Sequence, residues 1–194
     1  FLVKMSGGGA KTTSHFIDKP LPKGKTEVSL SAFSFLFGEI VNYSQTRTSS
    51  LDALEDRLSD IGWSVGYRSL DLIVYREKPG KRETKIVSIL TMIQNTIWKA
   101  LFGKTADSLE KSIQSESEYM IIENTPITNK YISVPNDRSH LNCAAFVAGV
   151  VKGVLDATDF KTESVTALNH LDEGSRIPRT VILIKFANDN PTTV

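Results

Sequence analysis

The chain has 194 residues, and its 23 Lys and Arg residues against 22 Asp and Glu residues give a net charge of +1. Hydrophobic residues make up 40% of the chain and charged residues 23%, which excludes a mainly disordered protein. The small net charge provides no overall field for nucleic acid, and a single cysteine, Cys143, excludes a disulfide framework and a cysteine-based zinc site.

The length predicts one domain, or one domain with a small appendage. Residues 1–26 are rich in Gly, Lys and Thr and contain two prolines, so we expect a flexible N-terminal tail. A single α+β domain is expected over residues 27–187 and a polar C-terminal tail over residues 188–194. No apolar run reaches the 18 residues that span a bilayer, and no secretory signal is recognisable, so we expect a cytosolic protein.

Two helices are predicted first. Ser29 is a typical N-cap, and the apolar residues behind it recur at helical spacing and predict one shared face, with Phe35 on the opposite face. The shared face consists of Ala32, Phe33, Leu36, Phe37, Ile40 and Val41. A second helix follows Ser49 or Ser50 and continues to about residue 75. Gly62 and Gly66 interrupt it at a cost of about 1 kcal/mol each, which indicates close packing of another backbone.

A third helix is predicted over residues 84–102, with Gly103 as its C-cap. We expect one more helical turn around residues 107–110, and a hairpin of two strands at residues 119–122 and 131–134. A fourth helix over residues 141–157 is apolar almost all round. Its small residues Ala145, Gly149 and Gly153 offer a smooth ridge for close packing.

Two final strands at residues 164–170 and 181–186 complete the predicted order ααα-ββ-α-ββ. Short connections favour antiparallel pairing. The predicted fold class is therefore α+β, with helices packed on one face of a twisted four-stranded antiparallel sheet.

Candidate chemistry is sparse. The run of residues 6–12 is similar to a phosphate loop but has Ala10 where the pattern requires Gly, and no strand precedes it. His140 and Cys143 could share a helix face as a nucleophilic pair, although a free Cys among small apolar residues is more often inert packing. The three histidines lack metal-ligand spacing. We therefore expect no enzyme, no cofactor and no metal.

Two charged stretches each have two interpretations, a binding surface or a solvated segment. A basic segment could face anionic lipid, or it could be a solvated loop between helices. Its basic residues are Arg76, Lys78, Lys81, Arg82 and Lys85. An acidic stretch could dock a basic partner or be a solvated face. Its residues are Asp107, Glu110, Glu116 and Glu118.

A series of strings, in order and spacing, resembles the small α/β subunits of the TRAPP complex over about residues 25–187. The strings occupy residues 27–33, 82–85, 98–104, 119–122, 131–135 and 141–146. The resemblance implies packed helices on a twisted antiparallel sheet. It also implies a non-catalytic scaffold in a vesicle-tethering complex that acts as a guanine-nucleotide exchange factor for a Ypt/Rab-type small GTPase in ER-to-Golgi transport.

The resemblance further implies the partners and the location. The expected hetero-oligomer joins a paralogous acyl-binding subunit to a longin-type subunit, and it associates peripherally with cis-Golgi and endoplasmic reticulum membranes. The acyl-binding relative carries an acylated Cys just before its Arg-Glu-Thr string. Residues 78–81 lack one here, so we expect no covalent acyl chain. An acyl-chain or small-molecule binding module with an apolar pocket remains the alternative.

Related subunits of this family pair through their first two helices. We therefore predict that a set of apolar residues on these helices lies in or just beneath a partner interface, although packing of the domain's own core would explain most of them equally well. The set is Phe33, Phe35, Phe37, Ile40, Leu54, Leu58 and Ile61.

Overall fold

The computed structural model describes residues 27–77, 82–113, 115–135, 138, 140–171 and 178–187. The helices in this part of the chain are α1 (Leu30–Gln45), α2 (Leu51–Glu77), α3 (Ile86–Met92), α4 (Trp98–Phe102) and α5 (Ala145–Ala157). The strands are β1 (Ser108–Lys111), β2 (Glu118–Glu123), β3 (Thr162–His170) and β4 (Arg179–Phe186). They form one antiparallel sheet in the order β1-β2-β4-β3, which confirms the predicted α+β class and the order of helices and strands.

Helix α1 begins at the predicted residue, but fewer of its apolar residues are buried than the sequence predicts. The Ser29 hydroxyl accepts a hydrogen bond from the Ala32 N–H at 3.2 Å, as an N-cap does. The helix buries Phe37, Val41 and Ser44, which are spaced four and three residues apart. The prediction that Leu36 shares this inward face is wrong, because 63% of its surface is exposed.

Helices α2 and α5 pack backbone against backbone, as their glycines predicted. A Cβ atom on Gly66 would lie 2.9 Å from the carbonyl carbon of Val150, and one on Gly149 would lie 2.7 Å from that of Ser59. Side chains other than hydrogen cannot fit at such distances. The two helices are therefore as close as glycine allows, and α5 is buried in the centre of the domain.

The third predicted helix is interrupted. A π-helical turn, Ile93–Ile97, separates α3 from α4. Its hydrogen bonds span five residues instead of four, so the helix is wider at this turn. Ile93, Ile97 and Trp98 all point into the core there. Gly103 ends α4 in the left-handed conformation with φ 79°, so the predicted C-cap is confirmed.

The predicted hairpin is wrong in its second strand. Residues 131–134 form no ladder, because β2 is already paired on both sides, by β1 and by β4. The backbone before them turns instead, with the Ile132 N–H donating to the Asn129 carbonyl at 3.3 Å. The first strand of the sheet is Ser108–Lys111, where a helical turn was predicted.

The core lies between the helices and one face of the sheet. Ile121, Ile182 and Ile184 project from that face and are essentially inaccessible to solvent. They belong to one apolar cluster with residues of α3, the π turn and α5, such as Leu90 and Leu155. The outer side of α1 and the end of the sheet where β4 begins lie outside this core.

Candidate functional site

The outer side of α1 carries an exposed apolar surface, which we call the outer stripe and define as Ala32, Phe35, Leu36 and Tyr43. Phe35 is 82% exposed, Leu36 63% and Tyr43 47%. Large apolar side chains grouped on one helix in this way mark an interaction surface more often than single exposed ones do.

The inner side of α1 is held by aromatic packing. The Phe37 ring meets the Phe146 ring edge to face, with centroids 5.4 Å apart, and stacks on the Phe33 ring at 5.7 Å. Helix α1 is thus anchored through Phe37 and Val41, while the outer stripe contributes nothing to the domain's own core.

The structure separates the predicted interface residues into three groups. Phe35 is exposed, whereas Phe33, Ile40 and Ile61 are half-buried against the core. The remaining members, Phe37, Leu54 and Leu58, are core residues of this domain. Their place at a partner interface stays a prediction. Sequence reasoning missed Leu36 and Tyr43, because their spacing fits an inward stripe as well as an outward one.

The end of α1 brings two arginines to one aromatic ring. The Arg47 guanidinium lies 3.9 Å from the centre of the Tyr43 ring, and that of Arg57 lies 5.7 Å from it. Such contacts are attractive and hold flexible arginines in place. The outer stripe therefore ends at a positively charged edge.

The basic segment is only partly described. Lys78 and Lys81 lie outside the described residues, Arg76 is half-buried, and Arg82 and Lys85 are exposed. The Arg82 guanidinium donates to the Thr158 carbonyl at 3.1 Å, just after the end of α5. This arginine therefore has a structural contact, and a membrane-facing role for the segment stays a prediction.

The acidic stretch does not form one patch. The Asp107 carboxylate accepts from the Asn124 N–H at 2.7 Å, and Glu118 forms an ion pair with Lys185 at 3.0 Å. Glu110 and Glu116 are exposed. Two of the four acidic residues thus stabilise the β1–β2–β4 part of the sheet.

A cavity of about 730 Å³ lies at the end of the sheet where β2 and β3 end and β4 begins. Its floor is a row of paired residues, Glu123, Thr180 and Asn169, which share the helix-facing side of the sheet. Its walls come from α4, from the start of α5 and from the first residue of α1. The wall residues include Trp98, Phe102, Ala144, Val147 and Leu30.

A buried carboxylate forms one end of the cavity floor. Glu123 is 2% exposed, and its Oε2 atom accepts from the Trp98 indole N–H at 3.0 Å. Its Oε1 atom accepts from the Lys104 ammonium group. Both carboxylate oxygens are thus satisfied, so Glu123 connects α4 to β2 rather than standing free for acid–base chemistry.

Asn142 joins three elements beside the cavity. Its side-chain oxygen accepts from Asn129 at 3.0 Å and from the Ala144 N–H at 2.9 Å, and its amide group donates to Asn169 at 2.9 Å. Its backbone N–H donates to Glu55 of α2 at 2.7 Å. These bonds hold residues 142–144 outside the helix, so the prediction that the fourth helix begins at residue 141 is wrong.

The Cys143–His140 pair lacks the geometry of a nucleophilic site. Both residues precede α5, so they do not share a helix face; Cys143 is 2% exposed and His140 is exposed. Burial, and after it the charge of Glu55, raises the pKa of the Cys143 thiol to about 11. The thiol therefore stays protonated at neutral pH.

The described residues contain no group of three or more His, Cys, Asp or Glu side chains placed to hold a metal ion. No helix among them has the length and apolar character needed to cross a membrane.

A family model described as "Transport protein particle (TRAPP) component" matches residues 33–187. The "Trafficking protein particle complex subunit 5" of Dictyostelium discoideum is 50% identical, covering 95% of this chain and 97% of that protein. The Homo sapiens protein of that name is 44% identical and covers 89% of this chain and 88% of its own length. In Saccharomyces cerevisiae, subunit 31 is 27% identical over 84% of this chain and 77% of its own length.

A solved structure supports the fold. The crystal structure of trafficking protein particle complex subunit 3 from Naegleria fowleri, covalently bound to palmitic acid, matches with a TM-score of 0.67. The match covers 82% of this chain and 95% of the other at 16% sequence identity, so it concerns the architecture alone.

Proposed function

The chain belongs to the TRAPP family of transport protein particle components, and from that membership we propose that it is a non-catalytic scaffold subunit that joins paralogous subunits. Its relatives are named as subunits of the trafficking protein particle complex, so it is a component of a vesicle-trafficking complex. In our proposal this complex tethers vesicles and promotes guanine-nucleotide exchange on a Ypt/Rab-type small GTPase in ER-to-Golgi transport.

The proposed partners are a paralogous acyl-binding subunit and a longin-type subunit. The assembly would act in the cytoplasm, bound peripherally to cis-Golgi and endoplasmic reticulum membranes. Residues 78–81 contain no Cys, and Cys143 is buried before α5, so this chain would rely on its partner for any covalent acyl chain.

The exposure of the outer stripe is the observation that supports the scaffold proposal. Phe35 and Leu36 are large, apolar and mostly exposed, and neither contributes to a catalytic arrangement or to the core. Full burial of such a side chain contributes about 1.5–3 kcal/mol. A stable interface centred on this stripe would bury about 1,200–2,000 Å² in total.

The scaffold proposal is tested by co-expression with the paralogous acyl-binding subunit, followed by size-exclusion chromatography with light scattering. We expect a one-to-one complex with the unchanged chain. The Phe35→Asp and Leu36→Asp variants should weaken it at least ~30-fold, because each places a charge in an apolar interface. The matched control is Ile113→Asp, which changes a fully exposed apolar residue between β1 and β2.

The control should assemble like the unchanged chain. The proposal is wrong if both α1 variants bind the partner as tightly as the control does. Circular dichroism of each variant shows whether the domain is folded, and the exposed position of both residues predicts that it is.

The cavity is the observation that favours a second candidate function, a binding module for an acyl chain or another small molecule. Its volume of about 730 Å³ falls in the range of ligand pockets. Mass spectrometry of an organic extract of the purified chain tests this candidate. A ligand present at one molecule per chain would support it, and a clean extract would count against it.

A further inference from the structure

We propose that Arg47 and Arg57, which we call the arginine pair, bind a carboxylate side chain of the partner subunit that covers the outer stripe. The inference rests on the scaffold function proposed above and deepens it. It states which chemical group the partner must present at one end of its binding surface.

The arginine pair lies at the junction of α1 and α2. Tyr43 belongs to the last turn of α1, Arg47 follows the end of that helix, and Arg57 belongs to the second turn of α2. The two guanidinium carbons lie 3.9 Å and 5.7 Å from the centre of the Tyr43 ring. Because these contacts restrict both side chains before a partner arrives, binding at this place costs less conformational entropy.

The arginine pair has no anionic partner within the described part of the chain. Neither guanidinium forms an ion pair with a described carboxylate, although Asp60 lies three residues beyond Arg57, a spacing at which helical ion pairs form. The Arg57 Nε atom is buried and has no hydrogen-bond partner. Two neighbouring positive charges, one of which has an unsatisfied N–H, are stabilised when an anion binds beside them.

The position of the arginine pair indicates where this anion comes from. Tyr43, the ring that both arginines contact, is also the last member of the outer stripe, about 10 Å along α1 from Leu36. A partner that covers Phe35 and Leu36 therefore also reaches the arginines. Protein interfaces commonly have an apolar centre and a polar rim, and a guanidinium group can bind a carboxylate through two parallel hydrogen bonds.

The surroundings of the arginine pair favour a protein carboxylate over a lipid headgroup. Asp52, Asp56 and Asp60 are exposed on the first turns of α2, next to Arg57 in the sequence. An anionic membrane is an extended surface that would meet these carboxylates as well as the arginines, and like charges repel. A single Asp or Glu side chain can approach the arginines alone.

Charge reversal tests the proposal in the complex with the paralogous acyl-binding subunit. The co-expressed complex is diluted, and its dissociation is followed by size-exclusion chromatography with light scattering. We expect Arg47→Glu and Arg57→Glu each to weaken the complex at least ~10-fold, because each variant places a negative charge opposite the partner's carboxylate. Arg47 is exposed, so Arg47→Glu remains informative even if a change at the half-buried Arg57 destabilises the domain.

Lys130→Glu is the matched control. Lys130 is also exposed, and its ammonium group lies 5.5 Å from the centre of a tyrosine ring, that of Tyr131, so the variant makes the same change of charge in a similar contact. Lys130 lies at the cavity and not on α1. The control should therefore bind the partner like the unchanged chain.

Salt dependence distinguishes a lost ion pair from a lost packing contact. Salt screens an ion pair at the rim of an interface, so the unchanged complex should weaken at least ~5-fold between about 0.05 and 0.5 M NaCl. The Arg47→Glu complex should not weaken further over this range, because its remaining charge contact is repulsive and is screened as well.

A charge exchange identifies the partner's carboxylate. Each Asp and Glu on the first two helices of the partner is changed to Lys in turn, and each changed partner is co-expressed with Arg47→Glu. One of these changes should restore the affinity of Arg47→Glu at least ~5-fold, because it pairs the new carboxylate with a new ammonium group.

The possible failures can be told apart. If both arginine variants bind like Lys130→Glu while Phe35→Asp still weakens the complex, this inference is wrong and the scaffold function stands. A loss of affinity that is independent of salt and that no partner Lys restores would also overturn it, because the arginines would then support only the fold. An unchanged complex combined with lost binding to vesicles of phosphatidylcholine with about 30 mol% phosphatidylserine would overturn it in favour of a lipid headgroup. If the unchanged chain forms no complex, the scaffold function itself is wrong, and this inference with it.

Discussion

Gly62 of α2 lies directly against the backbone carbonyl of Phe146 in α5. A Cβ atom at position 62 would lie 2.9 Å from that carbonyl carbon and closer still to its oxygen. The relationship is reciprocal one turn further on, where Gly149 of α5 faces the Ser59 carbonyl of α2. The close approach of these two helices thus depends on residues with no side chain.

The change Gly62→Ala should destabilise the domain. Alanine favours a helix by about 1 kcal/mol over glycine, but the new methyl group meets backbone atoms that cannot rotate away. We expect the steric clash to outweigh the gain in helix propensity, so the free energy of unfolding, measured in urea, should fall by about 2 kcal/mol.

Gly38→Ala is the matched control for this change. Gly38 also lies inside a helix, α1, but a Cβ atom there would have nothing within 4 Å. The same substitution should therefore raise the free energy of unfolding by about 0.5–1 kcal/mol. If Gly62→Ala is as harmless as Gly38→Ala, the close approach of α2 and α5 is not what the glycines provide.

These glycines are where sequence reasoning was most informative. Gly62 and Gly66 lie in an apolar helical pattern, where glycine lowers the stability of the helix. Their presence therefore predicts a tertiary contact that requires a residue without a side chain. The small residues Ala145, Gly149 and Gly153 predict the matching surface on the partner helix, α5. The spacing of four residues in both segments is retained in the contacts.

The sheet could be predicted only in part, because strand pairing is decided over long distances in sequence. Residues 131–134 alternate like a strand, but no edge of β2 is free for them. The polar sequence of Ser108–Lys111 predicts a helical turn, yet these residues pair with residues 119–122 and form an edge strand. Local patterns do not report which neighbour is available.

The cavity could not be predicted for the same reason. Glu123 is far from Asn169 and Thr180 in the chain, and the sheet register brings the three residues into one row. Glu123 ends a strand and reads as an exposed charge, whereas the Trp98 indole and the Lys104 ammonium hold it buried. The outer stripe was recognised only through Phe35.

The Trp98–Glu123 hydrogen bond should be a major support of the cavity. Glu123→Ala leaves the buried indole N–H without an acceptor, although the Lys104 side chain, 45% exposed, can turn to solvent. We expect the free energy of unfolding to fall by about 2–3 kcal/mol. Glu123→Gln keeps an acceptor for the indole and should cost about 1 kcal/mol.

The control for this pair of variants is Glu118→Gln on the same strand. Its ion pair with Lys185 is partly solvated on both sides, so its loss should cost less than about 1 kcal/mol. Urea unfolding of the three variants gives the comparison. If Glu123→Ala lowers the free energy of unfolding no more than Glu118→Gln does, the buried carboxylate makes no net contribution to stability.

The Cys143 thiol should be inert in the folded chain. Burial, followed by the charge of Glu55, raises its pKa from an ordinary value near 9.0 to about 11. A rise of about two units lowers the thiolate fraction at pH 8 about 100-fold, and only the thiolate reacts with iodoacetamide. We expect labelling at pH 8 to be at least ~100-fold slower in the folded chain than in urea. Comparable rates would contradict the buried position of the thiol.

The same pKa rise predicts how stability depends on pH. Between about pH 9 and 11 the unfolded thiol loses its proton while the folded thiol keeps it, so the unfolded state binds fewer protons and stability falls as pH rises. This rise in the pKa corresponds to a loss of up to about 3 kcal/mol across the window. Cys143→Ala removes this contribution but leaves the lysines and tyrosines that titrate in the same range. The free energy of unfolding should therefore fall more steeply from pH 9 to 11 in the unchanged chain than in Cys143→Ala, and parallel curves would show that the thiol titrates alike in both states.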